Sequence, residues 1–365
     1  MRQTILAILV ACVSLATPYH TFGGDLLLNL GPEELVHTDG LAITVGGYSV
    51  PSFADWNNDN LKDLIVGEGG GYGDAKVRVH LNVGTESSPQ FSDYFYVQSN
   101  GFDLTCPAAG CLGCFPRAVY WDADARKDLL IGQADGSVKV FLNTGTDEAP
   151  TFDGGTLLQV GNAKAKEDID VGSRATPSAV DWNNDGRKDL VVGAYDGKIH
   201  LFINEGADTE PDFVAETFAQ EDGADLLVPA SRSSPVILDL DGDGRKDILA
   251  GNTYGELLFY SNAGTDEAPR FSGYQLIEAG GVPIDLAGSA RSRPSVCYWT
   301  GDGHFGPIDG YIDVLIGAGD GKVRLYRGIP IPADLDWDGD VDFTDFALFS
   351  AYWQEHRPRP LVVCP

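Results

Sequence analysis

Asp239-Leu240-Asp241-Gly242-Asp243-Gly244-Arg245-Lys246-Asp247 runs straight into the apolar segment Ile248-Leu249-Ala250-Gly251. The same plan recurs at Asp181-Trp182-Asn183-Asn184-Asp185-Gly186-Arg187-Lys188-Asp189, ahead of Leu190-Val191-Val192-Gly193. It recurs again at Asp55-Trp56-Asn57-Asn58-Asp59-Asn60-Leu61-Lys62-Asp63, ahead of Leu64-Ile65-Val66-Gly67. Carboxylate or amide oxygens fall at positions 1, 3, 5 and 9, and glycine or asparagine at position 6. Alternating residues that project oxygens inward, closed by a later carboxylate, meet the needs of a hard cation such as Ca²⁺. The expected ligands are Asp55, Asn57, Asp59 and Asp63; Asp181, Asn183, Asp185 and Asp189; and Asp239, Asp241, Asp243 and Asp247.

The loops mark a repeat. The aspartate before each apolar segment returns at Asp63, Asp128, Asp189, Asp247 and Asp313, a period of about sixty residues that suits a four-stranded propeller blade with generous loops. In the third repeat, Pro177-Ser178-Ala179-Val180 leads into the acidic loop and Asp189–Ala194 forms the next strand. Tyr195-Asp196-Gly197-Lys198 makes a hairpin turn, where glycine supplies a positive φ. Lys198–Ile203 alternates polar and apolar residues as a third strand, and Pro211-Asp212-Phe213 opens a fourth. The fifth repeat stops at Gly328 without a fourth strand. Leu26–Leu30 is expected to supply it, which would close the ring and remove two sheet edges. The expectation is an all-β, five-bladed propeller over residues 24–328.

These residues resemble the FG-GAP and VCBS repeats of integrin-α-type propellers. The resemblance implies one Ca²⁺ per complete loop and roles in adhesion or ligand binding, without naming the ligand. Two repeats depart from the pattern. In the second, Tyr120 and Ala125 replace the first carboxylate and the turn glycine, leaving Asp122, Asp124 and Asp128 as candidate ligands. In the fifth, an insertion separates Tyr298-Trp299-Thr300-Gly301-Asp302 from Asp313, with Asp309 inside it.

Composition bounds the rest. The 365 residues carry 54 acidic against 25 basic side chains, a formal charge of −29, which argues against nucleic-acid binding. Arg2, the apolar run Ile5–Leu15 and the small residues Ser14-Leu15-Ala16 read as a signal peptide over residues 1–16. Leu9-Val10-Ala11-Cys12 offers a lipoprotein alternative. No later stretch has the ~18–20 apolar residues of a membrane span, so a secreted or cell-surface protein is expected. Export permits disulfides. Cys106, Cys111, Cys114, Cys297 and Cys364 would remain, an odd number. The spacing of Cys106, Cys111 and Cys114 admits an iron–sulfur reading, but a local disulfide suits an exported chain better.

Beyond a Pro-rich hinge at 329–333 lies a second motif. Asp334, Asp336, Asp338, Asp340 and Asp345 fall in the twelve-residue EF-hand pattern, with Gly339 at position 6. Phe346–Trp353 follows as an amphipathic helix. Residues 334–356 resemble one half of a dockerin, which implies docking to a cohesin-like scaffold; residues 357–365 are a tail. The second half is absent, and Phe343 and Thr344 stand at the partner-choosing positions. The competing reading is a calcium-stiffened tail packing Phe346, Phe349 and Trp353 on the propeller.

Two catalytic motifs are missing from the sequence: its six histidines form no HExxH, and there is no G-x-S-x-G. Its many acid pairs leave a glycosidase-like dyad open, although most of these acids read as metal ligands. Arg174, Arg232 and Arg291 each precede a strand-opening proline by three residues. Blade symmetry places them at the central mouth, opposite the acidic loops, where they could bind carboxylates of an acidic glycan. The competing reading pairs each with a local aspartate or with strand carbonyls. Trp56, Trp121 and Trp182 read as packing between blades rather than as sugar platforms. The expected function is a secreted, non-enzymatic calcium-binding module for a protein or glycan ligand. The rival is a polysaccharide lyase or hydrolase on a docking tag.

Overall fold

The computed structural model describes residues 28–69, 74–108, 113–122, 124–286, 290–299, 311–329 and 346–347. The fold is all-β: Phe346 and Ala347 are the helical positions among the described residues. Four sheets follow one another along the chain in a propeller-like arrangement, each with a four-stranded antiparallel unit at its heart. Their innermost strands are Ser49–Ala54, Phe115–Val119, Thr176–Val180 and Ser234–Leu238. The second strands are the apolar segments that follow the acidic loops, Asp63–Glu68, Asp128–Gly132, Asp189–Gly193 and Asp247–Gly251. Every residue of these second strands is buried, which is why they read as unbroken apolar runs rather than alternating ones.

A further sheet joins the two ends of the chain. Arg293–Cys297, Asp313–Gly317 and Val323–Tyr326 pair in order, and Glu34–Leu35 completes the set through Glu34 opposite Leu325 and Leu35 opposite Arg324. This corrects the expectation that Leu26–Leu30 pairs there. Leu30 bridges Gly328 and Ala279 instead, and its carbonyl accepts from Gly280 N–H. That is the role of Phe152, Phe213 and Phe271, whose carbonyls accept from Asn100, Gly161 and Asp222. Leu30 is thus the clamp of this sheet. Ladder pairing starts beyond Pro32, which has no N–H to offer.

The glycine at or next to the end of each second strand explains how neighbouring sheets meet. A Cβ on Gly67 would strike Cys114 O and Pro116, one on Gly132 would strike Ala175 O, and one on Gly193 would strike Ser233 O. Gly251 faces Ser292 O in the same way, and Gly317 faces Ser49 O and Pro51. Each sheet therefore lays its second strand against the next inner strand, and the last meets the first. Apolar clusters fill the spaces between. Trp56 and Phe152 lie 6.0 Å apart, Trp182 and Phe271 6.3 Å, and Trp299 and Phe91 5.5 Å. Trp56, Trp121, Trp182 and Trp299 are all buried, so the loop tryptophans are packing residues.

Candidate metal loops and a central arginine cluster

Each acidic loop is wound by its own side chains. In the third repeat, Asp181 Oδ1 accepts from Asp185 N–H at 3.0 Å and Oδ2 from Gly186 N–H at 2.8 Å. Asp55 accepts likewise from Asp59 and Asn60, and Asp239 from Gly242 and Gly244. Such a tight turn needs left-handed backbone. Asn58, Asn60, Asn184, Gly186, Gly242 and Gly244 supply it, with φ between 58 and 84°. Asn and Gly tolerate that region best. In the second repeat Ala125 takes it at 63°.

The ninth residue does a different task. Asp189 is buried, its Oδ2 accepts from Trp182 N–H and its Oδ1 from Asn204 N–H, both at 2.8 Å. Asp63, Asp128 and Asp247 accept the same two bonds, from the residue at loop position 2 and from an asparagine at or just past the end of the third strand, Asn82, Asn143 or Asn262. Asp313 repeats it on Trp299 and Gly328. Each asparagine then folds the next turn, as Asn204 Oδ1 does by accepting from Gly206 and Asp212 N–H. Burial pushes the Asp63 carboxyl up to about 6 and that of Asp247 up to about 7, against the pull of these N–H groups.

The structure brings Asp239, Asp241 and Asp247 together, each offering an oxygen within 4.8 Å of the others. It does the same for Asp122, Asp124 and Asp128, so the second repeat keeps a three-carboxylate cluster despite Tyr120 and Ala125. In the first and third repeats an amide stands at position 3: Asn57 and Asn183 donate to Asp59 and Asp185 at 3.0 Å. Asn57 Oδ1 is buried without a hydrogen-bond partner. Arg187 Nη2 lies 2.6 Å from Asp185 Oδ2, and Arg126 and Arg245 pair with Asp124 and Asp243. The converging carboxylates of the second and fourth repeats, and the orphaned Asn57 oxygen of the first, are all-oxygen donors of the kind that fits a hard cation. Asp302 and Asp309 lie outside the described residues, as do Asp334, Asp336, Asp338, Asp340 and Asp345.

At the opposite end of the inner strands, arginines gather. Arg174 and Arg293 are 1% and 0% exposed, and Arg117, Arg232 and Arg291 are half-buried. Arg293 Cζ lies 4.5 Å from the Tyr48 ring centre and 5.7 Å from that of Phe115. Arg174 also lies 5.7 Å from Phe115, Arg291 4.6 Å from Tyr48 and Arg232 4.9 Å from Tyr195. Arg117 donates to the carbonyls of Pro51 and Pro294, which belong to two other inner strands. Burial, with Arg232 nearby, pushes Arg174 down to about 9, and burial among Arg174, Arg291 and Arg232 holds Arg293 well below the usual range. Sequence reasoning found Arg174, Arg232 and Arg291 but missed Arg293 and Arg117. Arg293 directly precedes Pro294 and Arg117 directly follows Pro116, so neither stands at the place the other three share, and no repeat signal marks them. Cys106 and Cys114 form a disulfide, the local pairing that the sequence favoured.

Residues 181–250 match the model of the FG-GAP-like repeat. That span holds two complete acidic loops, Asp181–Asp189 and Asp239–Asp247, and the strands between them. No curated protein matches the chain. Among solved structures, a GH43_1 enzyme from Xanthomonas citri is 11% identical, covers 83% of this chain and 92% of its own, and has a TM-score of 0.46. The Photorhabdus luminescens Tc holotoxin pore is 11% identical with a TM-score of 0.38, and this chain spans 15% of its length. BBS1N in complex with ARL6DN is 8% identical over 83% of this chain and 98% of its own, with a TM-score of 0.35. Likenesses so distant carry no statement about activity. Among the described residues no helix is long and apolar enough to cross a membrane.

Proposed function

We infer that the chain is a secreted, calcium-stabilised propeller of five blades that serves as a non-enzymatic binding module at a cell surface or in an extracellular complex. The observation that carries this reading is the acidic loop, wound the same way in repeat after repeat and drawing three carboxylates within 4.8 Å in two of them. The cyclic series of glycine contacts from Gly67 to Gly317 supports five blades. Ca²⁺ supplies charge compensation and coordination to oxygen. Asp55, Asn57, Asp59 and Asp63 would hold it in the first loop, Asp181, Asn183, Asp185 and Asp189 in the third, Asp239, Asp241, Asp243 and Asp247 in the fourth, and Asp122, Asp124 and Asp128 in the second. The loop at Asp334–Asp345 adds a further site by its sequence and a route to an extracellular scaffold.

Calorimetry with Ca²⁺ or with chelator tests the metal. At free Ca²⁺ ~100-fold above Kd, each site adds about 2.7 kcal/mol, so losing three lowers Tm by about 15 °C. An unchanged Tm would sink structural calcium. A screen against plant and algal polysaccharides tests the role: glycan binding without turnover supports the module, whereas reducing-end or unsaturated products would make it a lyase or hydrolase.

A further inference from the structure

Guanidinium groups stay charged over the range in which proteins fold. Taking one out of water without an anionic partner is therefore a large penalty that deprotonation cannot relieve. Arg174 and Arg293 are in that position. Arg174 Nε and Nη1 and Arg293 Nε and Nη2 are buried with no hydrogen-bond acceptor, and so is Arg232 Nη1. Among the described residues, none of Arg117, Arg174, Arg232, Arg291 and Arg293 forms an ion pair with a carboxylate. Arg293 Nη1 reaches the Arg291 carbonyl at 3.1 Å, and Arg117 is held by proline carbonyls. Aromatic faces at 4.5 to 5.7 Å return only part of the lost hydration, and the cations repel one another. The backbone adds to the difficulty: Arg174, Arg232 and Arg291 all sit in the left-handed region, at φ 59, 61 and 70°. A negative group with two or more oxygens placed among these donors would satisfy them and offset the repulsion between the cations.

We propose that the arginine cluster is a binding site for a single small oxyanionic group, a carboxylate or a sulfate, approached past half-buried Arg232 and Arg291 and held by the buried N–H donors of Arg174 and Arg293. Arg117 braces the cluster by tying three inner strands together. Bidentate geometry suits either group, because guanidinium presents paired N–H donors to paired oxygens. The chain's charge of −29 repels long polyanions and leaves a small ion or a single charged sugar as the ligand that reaches this positive interior. The assignment deepens the binding-module reading by giving a ligand class. It rests on the arginines alone and would survive loss of the calcium reading.

Isothermal titration of the calcium-loaded chain with sodium sulfate and with sodium galacturonate, against sodium chloride at equal ionic strength, tests it. Saturable heat with sulfate alone assigns an inorganic or sulfated ligand, and with galacturonate alone a uronate; either supports the site. Arg293→Met should weaken that binding about tenfold or more, the loss expected for charge-assisted hydrogen bonds. If that variant fails to fold, Arg232→Gln at the entrance carries the same expectation. Two outcomes overturn the proposal: no saturable binding of either anion, or binding that Arg293→Met and Arg232→Gln leave unchanged.

Discussion

The two ends of the inner strands solve one backbone problem with opposite residues. At the acidic end, left-handed φ values fall on Asn58, Asn60, Asn184, Gly186, Gly242 and Gly244, the residue types that adopt them most readily. At the other end they fall on Arg174, Arg232 and Arg291, and on Ala230, Ser231 and Ala290 beside them, where each costs about 1 kcal/mol more than glycine would. In the loops the backbone dictates the residue. Around the axis the side chain is kept against the preference of the backbone, and strain held at equivalent places in three sheets points to work done by the side chain.

The largest effect separates two carboxylates of one loop. Asp189 closes the loop by holding two buried N–H groups, whereas Asp185 faces the loop interior and Arg187. Asp189→Ala leaves both N–H groups without acceptors, at roughly 1–3 kcal/mol each. It should lower stability by about 3 kcal/mol in chelator, read by denaturant melts, and by more in calcium, where a metal ligand is lost as well. Asp185→Ala should cost less in chelator, where it gives up only exposed bonds to Asn183 and Arg187, and should matter chiefly in calcium. If both variants lose stability to the same extent in chelator, the closing aspartate is no separate staple and the loop acts as one unit.

Arg232→Gly tests the other end of the comparison. The substitution removes backbone strain and an unsatisfied, half-buried cation, and gives up the contact with Tyr195. In buffer without the candidate anions, stability should hold or rise by about 0.5–1 kcal/mol, while anion binding weakens. A loss above about 1 kcal/mol in the melt would make Arg232 a packing residue and erase the contrast.

Fold legibility followed burial. Second strands such as Leu190-Val191-Val192-Gly193 are covered on both faces, so their composition announces them. Acidic loops were legible because their oxygens and their glycines obey the same local geometry. The closing strand lies later than expected, at Glu34–Leu35, because Leu26–Leu30 looks apolar enough to pair. Only the bridge of Leu30 to Gly328 and Ala279 shows it acting as a clamp. The pair of hydrogen bonds accepted by each ninth aspartate was not legible, since the second donor lies fifteen residues away on Asn204 or Asn262. Arg293 and Arg117 escaped for a related reason. Their neighbours around the axis come from other repeats, and periodicity within one repeat carries no trace of them.

The smallest effect asks whether the loops really are ruled by backbone. Ala125 holds a left-handed φ of 63° at the sixth loop position, where the third and fourth repeats have Gly186 and Gly244. A Cβ added to either glycine meets nothing within 4 Å, so sterics with neighbours drop out and only conformational preference remains. Glycine relieves the strain at Ala125 but adds freedom to the unfolded chain, which leaves a net gain of about 0.5–1 kcal/mol for Ala125→Gly. Gly244→Ala should lose a similar amount. Both shifts amount to about 1–4 °C in Tm and should survive chelation, since they arise in φ and not in coordination. Opposite signs of similar size would place the residue choice in the backbone. A change that vanishes with the metal would place it in the ligand cage, and the contrast with the arginine end would lose its basis.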